Sequence, residues 1–372
     1  MAEDFTKPAL TFEEQVERLE KRGMSFTAIQ KASAIKILES VNYYRLSAYT
    51  YPFRMRDNNK PIDRFVAGME FDSIIRLYDL DGELRLLIFE ALSVIEIQIK
   101  TAVAYSLAHG YGAFAHECDE NFVPEHLEAF NKSFVTTKRL LKTNKRTRKV
   151  EGFCVNQYRD WIIKLHKDIE SREEAINFLK HYSSNYNGFP RIPIWEAVEV
   201  MSFGGISKLL TGLSLNKAGE GPQRFSLFSR WGVIQSVGRS WVRALSYVRN
   251  VCAHHDRLWN KKLTNNAPDI PNSKDSPGWP KNIKENRCVC FSVCMIRQIL
   301  SGTPFFVEWS SRLIGIIQEF RALNELIAGQ IELPLAKQGL TDLSTLLPMK
   351  TLLSSMGFPD DWNDELVLPI KR

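Results

Sequence analysis

Apolar residues recur along most of the chain at spacings of three and four, and the elements this spacing predicts are helices. The longest run lies within 71–109, where Leu84, Leu87, Ile88, Ala91, Leu92, Ile95, Ile99 and Ala102 form one stripe, as on a helix buried along one side. A break in this helix is allowed for near Asp81-Gly82. At the start of the chain, Thr11-Phe12-Glu13-Glu14 fits a capping box, in which a Thr hydroxyl and a Glu carboxylate satisfy free amides at a helix start. A helix should follow to about Arg22 and stop at Gly23, and a second is expected over 28–40. Further helices are expected over 125–141, 172–182, 194–201 and, after an interruption at Gly204-Gly205, from Ile206. Val233, Val237, Trp241, Ala244, Leu245 and Val248 mark another, and 288–300, 304–327 and 343–354 complete the set. The Gly- and Pro-bearing stretches 110–124, 188–193 and 268–280 read as loops.

No segment alternates apolar and polar residues long enough to demand a sheet, and no repeat of solenoid length occurs. The fold class is therefore all-α, a multi-helix bundle with inserted loops. Three regions of one compact unit are expected: an N-terminal helical region over 1–70, a helical core over 71–330 and a C-terminal helical extension over 331–372.

Composition narrows the class. The chain has 372 residues, 44% hydrophobic and 25% charged, an ordinary balance for a water-exposed globular protein. It has no apolar run of bilayer length, and its acidic first residues lack a secretory pattern, so no membrane association and a cytoplasmic location are expected. Cys288, Cys290 and Cys294 raise the question of a zinc site. They lack a CxxC pair and lie in an apolar stretch, so they read as buried free thiols with no metal or cofactor.

Charge changes the picture more. The net charge is +6, yet Lys138, Arg139, Lys142, Lys145, Arg146, Arg148 and Lys149 stand together with no acid among them, so the rest of the chain nets −1. This basic insertion in the core region suits a polyanion such as RNA, because neutralising phosphates releases counterions. A solvated face would look the same. The aromatic segment 42–53, NYYRLSAYTYPF, reads chiefly as packing. Arg45 within it is a candidate for packing or RNA contact. Glu96 interrupts the long apolar stripe; an ion pair with Lys100, four residues on, competes with a role in orienting the residues described next.

The chemistry concentrates in 249–260, RNVCAHHDRLWN. Arg249 offers a permanent charge in a planar fork that fits phosphate oxygens. His254 can give or take a proton near neutral pH. Asn250 can hydrogen-bond a phosphate, a ribose hydroxyl or an imidazole. These groups suffice for metal-free RNA cleavage by the ribose 2′-OH. Asn250 and His254, four apart, share a helix face. Arg249 and His254 lie about 140° apart around an ideal helix, so Arg249 must reach around, or the helix must distort or end, or a second copy must complete the site. The same residues could instead cap a helix end and pair with Asp256.

This stretch resembles the signature of the AbiD/AbiF group of abortive-infection proteins, within the HEPN superfamily. NYYRLSAYTYPF at 42–53, PIWEAVEVMSFGGISKLL at 193–210 and MGFPDDW at 356–362 are similar to further segments of that group, in the same order. The resemblance implies a HEPN-type helical bundle with additional N- and C-terminal helices. It also implies metal-independent endoribonuclease activity in phage defence, leaving a 2′,3′-cyclic phosphate and a 5′-OH. Arg249 and His254 fall on the catalytic pair, Asn250 on the polar position, and His255 outside the minimal motif as a supporting residue. A single RxxxxH string favours a homodimer. Relatives are associated with a restraining non-coding RNA, which would make the insertion at 138–149 a site for antitoxin or substrate RNA. The alternative is a HEPN scaffold that holds structured RNA without cutting it.

Overall fold

The computed structural model describes residues 4, 8–57, 60–128, 130–131, 154–155, 157–214, 227–263, 267–272, 276, 278–283, 285–336, 351–359, 362 and 370. Helices dominate them, as the apolar spacing predicts. In chain order the α-helices are α1 (Phe12–Lys21), α2 (Ala28–Ser40), α3 (Tyr43–Thr50), α4 (Phe71–Tyr111), α5 (Pro124–Leu127) and α6 (Gln157–Glu170). They continue with α7 (Asn177–Asn185), α8 (Ile194–Val200), α9 (Phe203–Gly212), α10 (Gln235–Ala253), α11 (Val289–Leu300) and α12 (Pro304–Ala336). Among the described residues, none of these helices is long and apolar enough to cross a membrane.

The chain divides into two compact units. The first takes in 1–91, 248–265 and 280–372; the second takes in 92–247 and 266–279.

In the first unit α1 starts with the expected capping box, Thr11 Oγ1 accepting from Glu14 N and Glu14 accepting from Thr11 N. A second box, Thr27 with Gln30, starts α2. The first half of α4 lies against α12 in antiparallel sense. Trp309 Nε1 donates to the Leu87 carbonyl (2.8 Å), and Arg76 meets Glu319 (2.7 Å). The break allowed for near Asp81-Gly82 does not occur, since α4 runs on through both residues. Asp81 is wholly buried, and its partners, described below, repay the cost of placing a carboxylate there. A hairpin that the apolar pattern did not reveal pairs β1 (Arg54–Asp57) with β2 (Lys60–Phe65). With only four residues in β1, a bulge between Arg54 and Arg56 and Pro61 in β2, no alternation long enough to be read survives.

Cys288, Cys290 and Cys294 are buried in this unit. Burial pushes the Cys288 thiol up to about 11 and raises Cys290 well above its ordinary value, as expected for thiols in an apolar core. Among the described residues no group of three or more His, Cys, Asp or Glu is placed to hold a metal ion. Gly357, in the MGFPDDW segment, has φ +83°, and a Cβ there would run into Cys288 Sγ. Gly357→Ala should therefore cost roughly 2–4 kcal/mol, through the left-handed backbone and the overpacked thiol. The shift of the urea midpoint measures it; an unchanged midpoint would contradict the packing described.

In the second unit the stripe predicted for α4 is buried, with Leu92, Ile95, Ile99 and Ala102 fully enclosed. Three expected boundaries are corrected. The helix expected over 125–141 is not continuous over its described part: a single turn, α5, is followed by β3 (Phe130–Asn131), which pairs antiparallel with β4 (Cys154–Val155), and 132–141 lie outside the described residues. The helix expected over 172–182 starts later, as α7, and α6 precedes it across turns at 171–175. Gly204-Gly205 does not interrupt a helix. The chain breaks at Met201-Ser202, and the glycines form the first turn of α9, where Ser202 Oγ caps Gly205 N (3.1 Å). The helix expected over 343–354 falls mostly outside the described residues. Its last residue, Ser354, opens a short 3-10 turn, Ser354–Met356.

Candidate active site

The site grows from the end of α10. His254 N donates to Asn250 O (3.0 Å), so α-helical bonding extends to His254. His255 N then reaches the Cys252 carbonyl (3.0 Å) and Asp256 N the Val251 carbonyl (2.9 Å). That is a Schellman ending, which calls for a left-handed residue, most often Gly, just past the helix. Here the position is held by His255, at φ +56°. A non-glycine residue there costs about 1–2 kcal/mol, and such strain clusters at functional sites. His255→Gly should raise the unfolding free energy by roughly 0.5–1 kcal/mol, less than the strain because glycine also frees the unfolded chain. Urea titration of the pair reads this directly, and a loss of stability would contradict it.

Asn250, His254 and His255 are exposed and Arg249 is half-buried. Arg249 Nη1 donates to Asn250 Oδ1 (3.1 Å), so the guanidinium bends round to the Asn250 side. Asn250 stands one turn before His254 on the same face. Of the geometric options open in the sequence, the structure shows the helix ending near His254, with Arg249 bonded to its neighbour Asn250. Between them, buried Cys252 has its thiol pushed up to about 12 by burial and belongs to the core.

What fixes this turn is a buried polar knot centred on Asp81. Its carboxylate accepts from Tyr49 Oη (2.5 Å), Arg85 Nη1 (2.6 Å) and the backbone N–H of Trp259 (2.7 Å) and Leu258 (3.2 Å). Burial first, and the Asp81 charge next, raise the Tyr49 hydroxyl far above its ordinary value, so it stays a neutral donor. Trp259 is fully buried and its ring lies nearly parallel to those of Tyr49 and Phe53, with centroids 6.1 and 6.3 Å away. Its Nε1 donates to the Leu352 carbonyl (3.1 Å). The RLW part of the motif is thus an anchor for the exposed Arg249–His255 part.

Two arginines clamp α3 to the same turn in opposite directions. Arg257 Nη1 donates to the Ala48 carbonyl (2.6 Å), and Arg45 Nη2 donates to the His255 carbonyl. Arg45 also donates through Nε to Tyr78 Oη (3.1 Å) and lies over that ring. Arg45, a candidate for packing or RNA contact in the sequence, makes these contacts at the motif turn. Glu96 lies in the second unit and pairs with Lys100 (3.5 Å). Lys138, Arg139, Lys142, Lys145, Arg146, Arg148 and Lys149 lie outside the described residues. The β3–β4 ladder brings the flanks of that stretch, Asn131 and Cys154, side by side.

Sequence reasoning missed Asp81 and Arg85. The readable signal was an acid and a base four apart in an otherwise apolar stripe, which can pair across one turn; Gly82 drew attention to a break instead.

The fold and this turn define a mainly helical protein presenting an Arg-Asn-His constellation at an anchored helix end. The profile of the family described as Abi-like protein matches residues 36–260, and the chain belongs to that family, one of abortive infection in phage defence. The match covers α3, the Asp81 knot and the whole 249–260 motif; the MGFPDDW segment at 356–362 lies beyond it. No curated protein and no solved structure matches the chain.

Proposed function

We propose that this protein is a metal-independent endoribonuclease of the HEPN type, acting in abortive infection as a homodimer. The observation that supports this most is the bend of Arg249 onto Asn250, one helical turn from exposed His254. In the proposed reaction the 2′-oxygen of a ribose attacks the adjacent phosphorus as its proton is taken up. The 5′-oxygen leaves and is protonated, yielding a 2′,3′-cyclic phosphate and a 5′-OH. His254 carries one of these proton transfers and Arg249 faces the phosphoryl oxygens. A phosphate here meets the negative pole of α10, which is unfavourable; Arg249 is the group that offsets it. Asn250 orients the guanidinium.

A second copy of the motif supplies the other proton-transfer group, since the chain contains one RxxxxH string. A non-coding RNA bound by the basic stretch at 138–149 would restrain the activity. Incubating purified protein with cellular RNA in EDTA and mapping the new ends tests the proposal. Cyclic-phosphate and 5′-hydroxyl ends support it. Intact RNA that merely copurifies points instead to a non-cleaving scaffold.

A further inference from the structure

The two arginines that join α3 to the motif turn are not equivalent. Arg257 is committed to the interior: its guanidinium lies over the buried Tyr49 ring (5.9 Å), and burial holds its pKa below the ordinary arginine value. Arg45 serves the turn itself. Its Nη2 donates to the carbonyl of His255, the residue at φ +56°, while its Nε donates to Tyr78 Oη. A planar fork lets both bonds form at once. Tyr78 stands edge-on to Tyr49 (5.3 Å, 78°), whose hydroxyl bonds Asp81. The turn is thus pinned on both sides of Asp256-Arg257, Arg45 holding residue 255 and Asp81 holding residues 258 and 259.

Arg45 also brings charge to a place where the proposed reaction needs it. The last carbonyls of α10 form its negative pole, and a cation bonded there is favourable. Asp256 pairs with Lys261 (3.1 Å), and among the described residues no carboxylate pairs with Arg45, so its charge is not cancelled. The carbonyl it bonds belongs to the residue directly after His254, so a shift of this turn carries the imidazole with it.

We propose that Arg45 is a positioning residue for RNA cleavage: it holds the left-handed turn at His255, and with it the His254 imidazole, in the cutting geometry, while its charge offsets the negative pole of α10. This rests on the ribonuclease reading above and adds to it a residue outside the RxxxxH string. Arg45 acts through the turn, so its loss slows the chemical step and leaves RNA binding nearly unchanged.

The test compares the full-length wild type with Arg45→Met and Arg45→Lys. Steady-state cleavage of one RNA in EDTA separates kcat from KM, and hydrogen exchange follows the amides of 254–256, which close the end of α10. Arg45→Met keeps an apolar stem but loses both bonds and the charge. Its kcat should fall about 10- to 100-fold, the scale of a small misplacement of a catalytic group, with KM within about threefold. Arg45→Lys keeps the charge without the fork, so its kcat should lie between those of Arg45→Met and the wild type. The amides of 254–256 should exchange faster in Arg45→Met while α12 keeps its protection.

Wild-type kcat in Arg45→Met, a loss carried by KM alone, a lysine no better than methionine, or faster exchange across α12 as well overturns the proposal. A KM effect alone would make Arg45 an RNA-binding residue, and general loss of protection would make it a structural one. If Arg45→Met does not fold, Arg45→Lys decides: a kcat equal to the wild type overturns the role. No cutting by the wild type overturns the ribonuclease reading, and this role falls with it. Cutting that ignores Arg45 overturns this role alone.

Discussion

Asp81→Ala is expected to destabilise the first unit by about 3–5 kcal/mol, the range found when one partner of a buried ion pair is removed. The loss has three sources. Arg85 becomes a buried cation without its 2.6 Å counter-charge. Tyr49 loses the acceptor of its hydroxyl, and the backbone N–H groups of Leu258 and Trp259 lose theirs. Asp81→Asn should cost less, because an amide oxygen still accepts from the backbone, yet it leaves Arg85 uncompensated. The diagnostic variant is the double change Asp81→Ala with Arg85→Met, which should recover part of the loss by removing the stranded charge. Urea midpoints of the three variants measure this, and a double variant no more stable than Asp81→Ala would contradict the arrangement. Because Leu258 and Trp259 anchor the motif turn, Asp81→Ala should also lower any RNA cleavage without touching the exposed groups themselves.

The second large effect concerns activity. His254→Ala and Arg249→Ala should each reduce RNA cleavage by about 10²- to 10⁴-fold, the scale of losing a proton-transfer group or a charge-stabilising donor. His254 is exposed, so its replacement should move the unfolding free energy by no more than about 0.5 kcal/mol. Arg249→Lys should remain impaired, because an ammonium cannot present the planar fork that bonds Asn250 and a phosphate together. Normal cleavage by both alanine variants would remove the assigned pair from the reaction.

Helices were legible wherever a buried stripe repeats without competition, as in the body of α4 and α10, and α1 was legible from its capping box. Boundaries failed where local residues serve two purposes. Gly82 breaks isolated helices, yet it survives in α4 because Asp81 beside it is fully bonded. Gly204-Gly205 opens α9 because Ser202 caps it. The hairpin at 54–65 was too short and too irregular to leave a period.

At the candidate site, the exposed constellation was readable because its residue types carry chemistry on their own. The anchor was not, since Asp81 stands far in sequence from Leu258 and Trp259 and nothing local joins them. Arg45 and Arg257 were hidden in the same way, as each bonds a backbone carbonyl about two hundred residues away. The unusual backbone of His255 is invisible in sequence, where Gly would have announced the turn.

The most direct measurement is single-turnover cleavage, in EDTA, of one unpaired RNA by the wild-type chain and by His254→Ala, with the 3′ ends of the products identified. The account predicts 2′,3′-cyclic phosphate ends from the wild type and a rate at least about 100-fold lower from the variant. Equal rates from the two proteins, or wild-type cleavage that stops in EDTA, would contradict it.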